Sequence, residues 1–167
     1  MATKAIFTAE QYLQTSFDGP DREFVQGEVV ERNVGEKPHS EAQVRLVEIF
    51  YELRRKHALY SAIELRMRLT PASYRIPDFA VFYPEEPAEF VPSHPPLLVA
   101  EIVSREDRYT EILQKFEEYR TWGVRHIWLI DPWQKNFSVY TEKGLSTVDR
   151  LRLPEFDAEI TVQDLFE

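Results

Sequence analysis

The run LLVAEIVS, Leu97 to Ser104, carries a single carboxylate, Glu101, among apolar residues. Bounded by Pro95-Pro96 and by Ser104-Arg105-Glu106-Asp107, it reads as a strand buried on both faces. An ionised carboxylate there is costly unless it is paired, hydrogen-bonded or bound to a metal. Pro77-Asp78 opens a second apolar run, FAVFY, so Asp78 stands at the mouth of a neighbouring strand. Farther on, a stripe at helical spacing, Ile112, Tyr119 and Trp122 beside Leu113 and Phe116, is interrupted by Lys115, which is expected to lean toward the sheet. Taken singly, Asp78 fits a turn or strand edge, Lys115 a snorkelling surface lysine, and Glu101 a buried ion pair. Taken together, two carboxylates from adjacent strands and a lysine from the following helix suit phosphodiester hydrolysis. Such carboxylates can hold Mg²⁺ or Mn²⁺, with a main-chain carbonyl and waters completing the shell. The metal polarises a phosphate and acidifies a water, and an ammonium group steadies the developing charge.

The elements that must position these residues can be read along the chain. Thr8 and Gln11 form a capping-box pattern for a short helix. Arg22 to Val25 and Val29 to Arg32 flank Gln26-Gly27-Glu28 as a hairpin. A long helix is expected from about His39 to His57, with its stripe at His39, Gln43, Leu46, Phe50 and Leu53. Strands are expected over Tyr60 to Leu69, Pro77 to Tyr83, Leu97 to Ser104 and His126 to Ile130, with a helix from about Arg108 to Trp122 before the last of them. Two further strands, Asn136 to Tyr140 and Thr147 to Leu151, and a helical turn over Thr161 to Phe166 complete the pattern. The proline-rich segment PEEPAEFVPSHPP can only be a loop. The order is α, three strands, α, strand: an α/β (α+β) fold with a mixed sheet and flanking helices.

The pattern Pro77-Asp78 followed by Glu101-Ile102-Val103, in αβββαβ order, resembles the restriction-endonuclease-like superfamily named for its PD-(D/E)XK motif. More closely, it resembles the Uma-two family of bacterial endonucleases. The likeness spans nearly the whole chain: TAEQYL, REFVQGEVVER, His39 opening the long helix, IPDFAVF, LLVAEIVS, ILQKFEEYRTWGVRHIWLIDP and FSVY. The long segment from Ile112 to Pro132 is the most specific of these. The superfamily motif places lysine two residues after the glutamate, where this chain has Val103. The resemblance implies that Lys115 supplies that charge from the next helix, and that Asp78 and Glu101 are both catalytic and metal-binding. It also implies that Glu23 approaches the same site, as do Ser104 and His39. For these three, hairpin surface, strand cap and helix N-cap neighbour are equally good readings. Replacing Lys115 by methionine is expected to keep the helix stripe and the fold.

Composition sets the outer limits. The chain has 167 residues, 43% hydrophobic and 29% charged, which suits one soluble domain over residues 1–167. No apolar run is long enough to cross a membrane. MATKAIFTAEQYL lacks the pattern of a secretory leader, so a cytoplasmic location is expected. With no cysteine, disulfides and thiolate metal sites are excluded. The four histidines show no paired zinc spacing, and the five glycines form no phosphate loop. Trp122, Trp128 and Trp133 read as core or edge packing. The net charge of −9 argues against tight nonspecific binding of long DNA by a monomer. Two readings remain: a Mg²⁺- or Mn²⁺-dependent DNA endonuclease, expected as a homodimer because two copies would cut two strands, and a catalytically silent module binding nucleic acid or protein on the same scaffold. Target recognition is expected in the 84–96 loop.

Overall fold

The computed structural model describes residues 7–167. Met1 to Ile6, which enter the reading of the leader and the single-domain span, lie outside the described residues. Helix α1 (Ala9–Gln14) starts at the Thr8–Gln11 capping box, and the hairpin β1 (Glu23–Val25) and β2 (Glu28–Val30) turns at Gln26-Gly27, both at positive φ. Helix α2 (Lys37–Arg54) starts two residues earlier than expected, because Pro38 is preorganised for a first helical turn.

The expected strand Tyr60 to Leu69 is in fact two, β3 (Tyr60–Ile63) and β4 (Met67–Thr70), which belong to different sheets. Glu64 breaks it by adopting a left-handed φ of 49°, and its N–H bonds to the carbonyl of Asp78. Ser73 begins a strand that the sequence reading did not include, β5 (Ser73–Arg75), which pairs with both β1 and β4. Strands β6 (Phe79–Phe82) and β7 (Leu98–Ile102) follow, separated by the proline-rich loop. Helix α3 (Tyr109–Trp122) then leads to β8 (His126–Asp131). The expected strand over Thr147 to Leu151 also divides: β9 (Asn136–Thr141) and β10 (Gly144–Val148) form a hairpin, while β11 (Arg150–Leu153) pairs with β12 (Ala158–Thr161) ahead of α4 (Val162–Phe166).

The main sheet has the order β10-β9-β8-β7-β6-β3. It is antiparallel except for β7 and β8, the pair joined by α3 as a crossover. Side chains of its central strands alternate between two cores. Phe79, Val81, Leu98, Ala100, Ile102, Trp128 and Ile130 pack with Leu46 and Phe50 of α2. Ala80, Phe82, Val99 and Ile127 pack with Phe116 and Tyr119 of α3 and with Met67 of β4. Burial on both faces is what the unbroken apolar reading of LLVAEIVS implied. In the same alternation, Asp78 and Glu101 belong to the face covered by α3. The antiparallel register Phe79↔Ala100, continued by one residue, sets Asp78 directly opposite Glu101.

The last turn of α3 is closed by Gly123 at φ 114°, whose N–H reaches back to the carbonyls of Tyr119 and Arg120. A Cβ there would meet Pro95 at 3.4 Å, so sterics permit alanine and only the backbone opposes it. Gly123→Ala is expected to cost about 1–2 kcal/mol, a fall in Tm of roughly 2–8 °C for a chain of this size. Thermal denaturation followed by circular dichroism measures it.

Candidate active site

A cleft of about 890 Å³ opens between the hairpin, the start of α2 and the first turns of α3. Glu23, Asp78, Glu101 and Lys115 line it, together with Arg32, His39 and Arg75. The walls explain its position. Strands β6 and β7 end side by side at its floor, α3 returns across β7, and the hairpin reaches over from the second sheet.

Asp78 is 7% exposed and its carboxylate is held from three sides. The backbone N–H of Ile102 donates to Oδ2 at 2.7 Å, and His39 Nε2 lies 3.3 Å from the same oxygen. Arg32, from the strand end after the hairpin, donates to Oδ1 at 3.2 Å. Gln43, one turn along α2 from His39, donates to the Asp78 carbonyl at 2.9 Å. Burial alone would raise the Asp78 carboxyl, but the hydrogen bond and charge of His39, the Ile102 N–H and Lys115 outweigh it and hold the group below its ordinary range. His39 responds reciprocally. Burial lowers its pKa, yet the bond to Asp78 raises it above the usual imidazole value. Gly35 matters here, because a Cβ at that position would stand 2.7 Å from His39 Nδ1.

Glu101 occupies a different electrostatic setting. Tyr119 donates its hydroxyl to Oε1 at 2.8 Å, and Lys115 Nζ lies 3.4 Å from the same oxygen. Oε2 has no hydrogen-bond donor among the described residues. Burial pushes the carboxyl up, Lys115 pulls it down, and the charges of Asp78 and Glu23 push it up again, leaving it at about 7.

Lys115 does not snorkel. Its side chain is 19% exposed and its ammonium bridges Glu101 and Glu23, 3.2 Å from Glu23 Oε1. Burial would lower its pKa, but the two carboxylates keep it above the usual lysine value. Glu23 is fixed in turn by the Ile76 N–H at 2.9 Å and by Arg75 at 2.9 Å, and Arg75 forks onto both oxygens of Glu118 at 2.8 Å. Removing Lys115 would leave two buried carboxylates without their shared cation. Breaking a buried pair this way typically costs about 3–5 kcal/mol, so a methionine at 115 disturbs folding more than the helix stripe alone suggested.

Asp78, Glu101, Lys115, Glu23 and His39 thus line one cleft in two bonded groups, Asp78 with His39 and Lys115 with Glu101 and Glu23. Ser104 lines the same cleft, but its N–H serves Asp107 at 2.7 Å and it bonds to none of Asp78, Glu101 and Glu23. Arg32, Arg75, Tyr119 and Gln43 were not singled out from sequence. Tyr119 stands four residues after Lys115 on the same stripe, which was a usable signal; Arg32 lies just past β2 and Arg75 ends β5, and neither gave one. Trp122 and Trp128 pack in the two cores as expected, while Trp133 is 37% exposed with Arg105 4.3 Å over its ring.

The profile of the Uma2 family, described as "putative restriction endonuclease", matches residues 9–167. The chain belongs to the Uma2 family. A crystal structure from Anabaena variabilis, described as a "putative nuclease belonging to DUF820", superposes with a TM-score of 0.83 at 21% identity, covering 96% of this chain and 97% of that one. At that identity the likeness speaks to the fold. No curated protein matches the chain. The strands that carry Asp78 and Glu101 and the helix that carries Lys115 all lie inside the span shared with Uma2 proteins. Among the described residues, no helix is long and apolar enough to cross a membrane.

The opposed carboxylate shifts predict a pH signature. Between its ordinary value of 4.5 and about 7, folded Glu101 keeps a proton that the unfolded chain releases, so its contribution to stability falls as pH rises through that window. His39, also raised, adds a loss in the same direction above its ordinary value. Asp78 and Glu23, both lowered, contribute stability that is lost as pH falls through and below the ordinary carboxylate range. Urea unfolding of Glu101→Gln should therefore show a shallower decline from pH 5 to pH 7.5 than the unsubstituted chain, with the acid limb retained (roughly one proton of difference in slope). Equal slopes would mean that Glu101 ionises normally.

Proposed function

We propose that this Uma2 protein is a divalent-metal-dependent DNA endonuclease in which Asp78 and Glu101 bind Mg²⁺ or Mn²⁺ and Lys115 acts on the scissile phosphate. The observation that carries this reading is the lysine. Its ammonium, supplied by α3 rather than by position 103, meets the Glu101 carboxylate at 3.4 Å inside the cleft that also holds Asp78.

The donor set fits such an ion in type. Among the described residues no group of three or more His, Cys, Asp and Glu side chains is arranged to hold a metal. Magnesium commonly rests on one or two carboxylates and retains several waters. Glu101 Oε2 has no protein donor, and the Asp78 carboxylate, with lone pairs for about four partners, is engaged by Arg32, His39 and the Ile102 N–H. When bound, a divalent cation would polarise the phosphate and acidify a water. The residues of the chain supply the rest. Tyr119 orients Glu101, His39 and the Ile102 N–H orient Asp78, and Arg75 with Glu23 anchors the Lys115 ammonium so that its charge faces the reacting phosphate without rearrangement.

The second reading, a module that binds without cutting, draws on the closure of the ion-pair network. Arg32 already pairs with Asp78, Lys115 with Glu101 and Glu23, and Arg75 with Glu23, so each carboxylate has a cationic side chain beside it without a metal ion.

One experiment separates the two. Mn²⁺ at a hundred times its dissociation constant should raise unfolding stability by about 2.7 kcal/mol, and Asp78→Asn should abolish that gain. With single-stranded, double-stranded and branched DNA, cleavage should require Mg²⁺ or Mn²⁺. Lys115→Met, assayed below its lowered Tm, should lose roughly 10²–10³ in rate, by analogy with removal of an oxyanion-hole donor. Absence of both the Mn²⁺ shift and cleavage of every DNA form would leave the binding module as the reading that survives.

A further inference from the structure

Arg32 meets Asp78 at the carboxylate oxygen that the other partners leave open. Oδ2 takes the Ile102 N–H at 2.7 Å and His39 Nε2 at 3.3 Å, while among the described residues Oδ1 is met by Arg32 alone, at 3.2 Å. The Arg32 side chain is 10% exposed, so its guanidinium is part of the cleft wall. That charge cannot be relieved by deprotonation, since arginine stays protonated in proteins. Its other arm, Nη1, lies 3.8 Å from Oε2 of Glu64, whose side chain is 53% exposed. One guanidinium thus stands between a buried carboxylate and a solvated one.

The backbone that carries Arg32 is fastened on both sides. Val30 pairs with Glu23 in the hairpin. Asn33 donates to Asp107 at 2.6 Å and Glu36 meets Arg105 at 3.4 Å, both partners lying in the loop after β7. A change of partner by Arg32 is therefore a rotation of its own side chain. Arg75, the other buried arginine of the cleft, has no such freedom, because Glu23 and both oxygens of Glu118 clamp it.

Resting on the metal reading above, we propose that Arg32 is the counter-ion that Asp78 exchanges for a divalent cation, the guanidinium giving up Oδ1 and keeping Glu64. Two cations on one buried oxygen repel strongly where water does not screen them. A monovalent ion brings no more charge than the guanidinium it would replace, and no hydrogen bond, so the exchange favours a doubly charged ion. Arg32 keeps the buried Asp78 paired, which an isolated carboxylate there requires, and sets the concentration at which the ion binds.

Calorimetric titration of Mn²⁺ into the full chain without DNA tests this, because it reads binding and not cleavage. Arg32→Gln should bind Mn²⁺ roughly 10-fold tighter or more, the order by which a charge beside a carboxylate changes its affinity for a proton. Glu64→Gln, at an exposed side chain, should bind more weakly, because Arg32 loses its second carboxylate and stays on Asp78. Arg108 and Glu111 are the matched control: they pair at the same 3.8 Å, line the same cleft and bond to neither Asp78 nor Glu101. Arg108→Gln and Glu111→Gln, at exposed and screened positions, should change the affinity by no more than about 2-fold. Circular dichroism checks that each variant is folded, and if Arg32→Gln is not, Glu64→Gln against Glu111→Gln decides. Binding by Arg32→Gln no tighter than by the unsubstituted chain overturns the exchange and leaves the metal reading standing. So does an equal affinity of Glu64→Gln and Glu111→Gln. Binding by Arg32→Gln alone supports both, whereas binding by neither it nor the unsubstituted chain removes the metal reading and the exchange with it.

Discussion

The constraint on which the site depends is the burial of Glu101 in a strand with no aqueous face. A carboxylate in that position needs a cation at hand, and the nearest one comes from α3, fourteen residues farther along the chain. Lys115 meets Glu101 and Glu23 at once, so a helix on the main sheet, a strand of that sheet and a hairpin of the second sheet are tied through one ammonium group. Arg75 and the Ile76 N–H then complete the Glu23 carboxylate. Such a network is costly to break from any side, since removing one member leaves a buried charge unpaired.

The same arrangement gives two carboxylates that face one another unequal properties. Asp78 receives an N–H, an imidazole and a guanidinium, and stays ionised. Glu101 receives a phenol and a share of one ammonium while facing two other acids, and sits at about 7. The difference arises from the partners each strand end meets, since both side chains are buried and lie opposite each other. The two strand ends thus present carboxylates shifted in opposite directions to one cleft.

The position of Lys115 follows from the same geometry. Val103 continues the apolar strand and donates its N–H to the Ile130 carbonyl, keeping β7 and β8 paired past Glu101. Helix α3, closed at Gly123, crosses the β7 end with Lys115 and Tyr119 one turn apart on its inner side. A lysine on the helix therefore reaches the carboxylate that a lysine on the strand serves in the wider superfamily pattern. This charge also holds the hairpin in place, so a substitution at Lys115 disturbs the fold as well as the cleft.

Much of this was readable from sequence because it rests on local patterns. The apolar run around Glu101, the proline before Asp78, the stripe broken by Lys115 and the capping box at Thr8 each report a neighbourhood of a few residues. Two readings failed for a definite reason. Residues 60–69 keep an alternating pattern across their break, so nothing in the period revealed that Glu64 turns left-handed, and residues 147–151 were too short a run to show that Asp149 separates two sheets. Which arginine neutralises which acid was beyond the sequence altogether. Arg32 lies 46 residues from Asp78 and Arg75 lies 52 from Glu23, and only the packing of the hairpin's sheet against the main one sets those pairs. Residue types and spacing determined which side chains could do chemistry; the tertiary structure decided their partners, because charge pairing acts through space and depends on which strands end side by side.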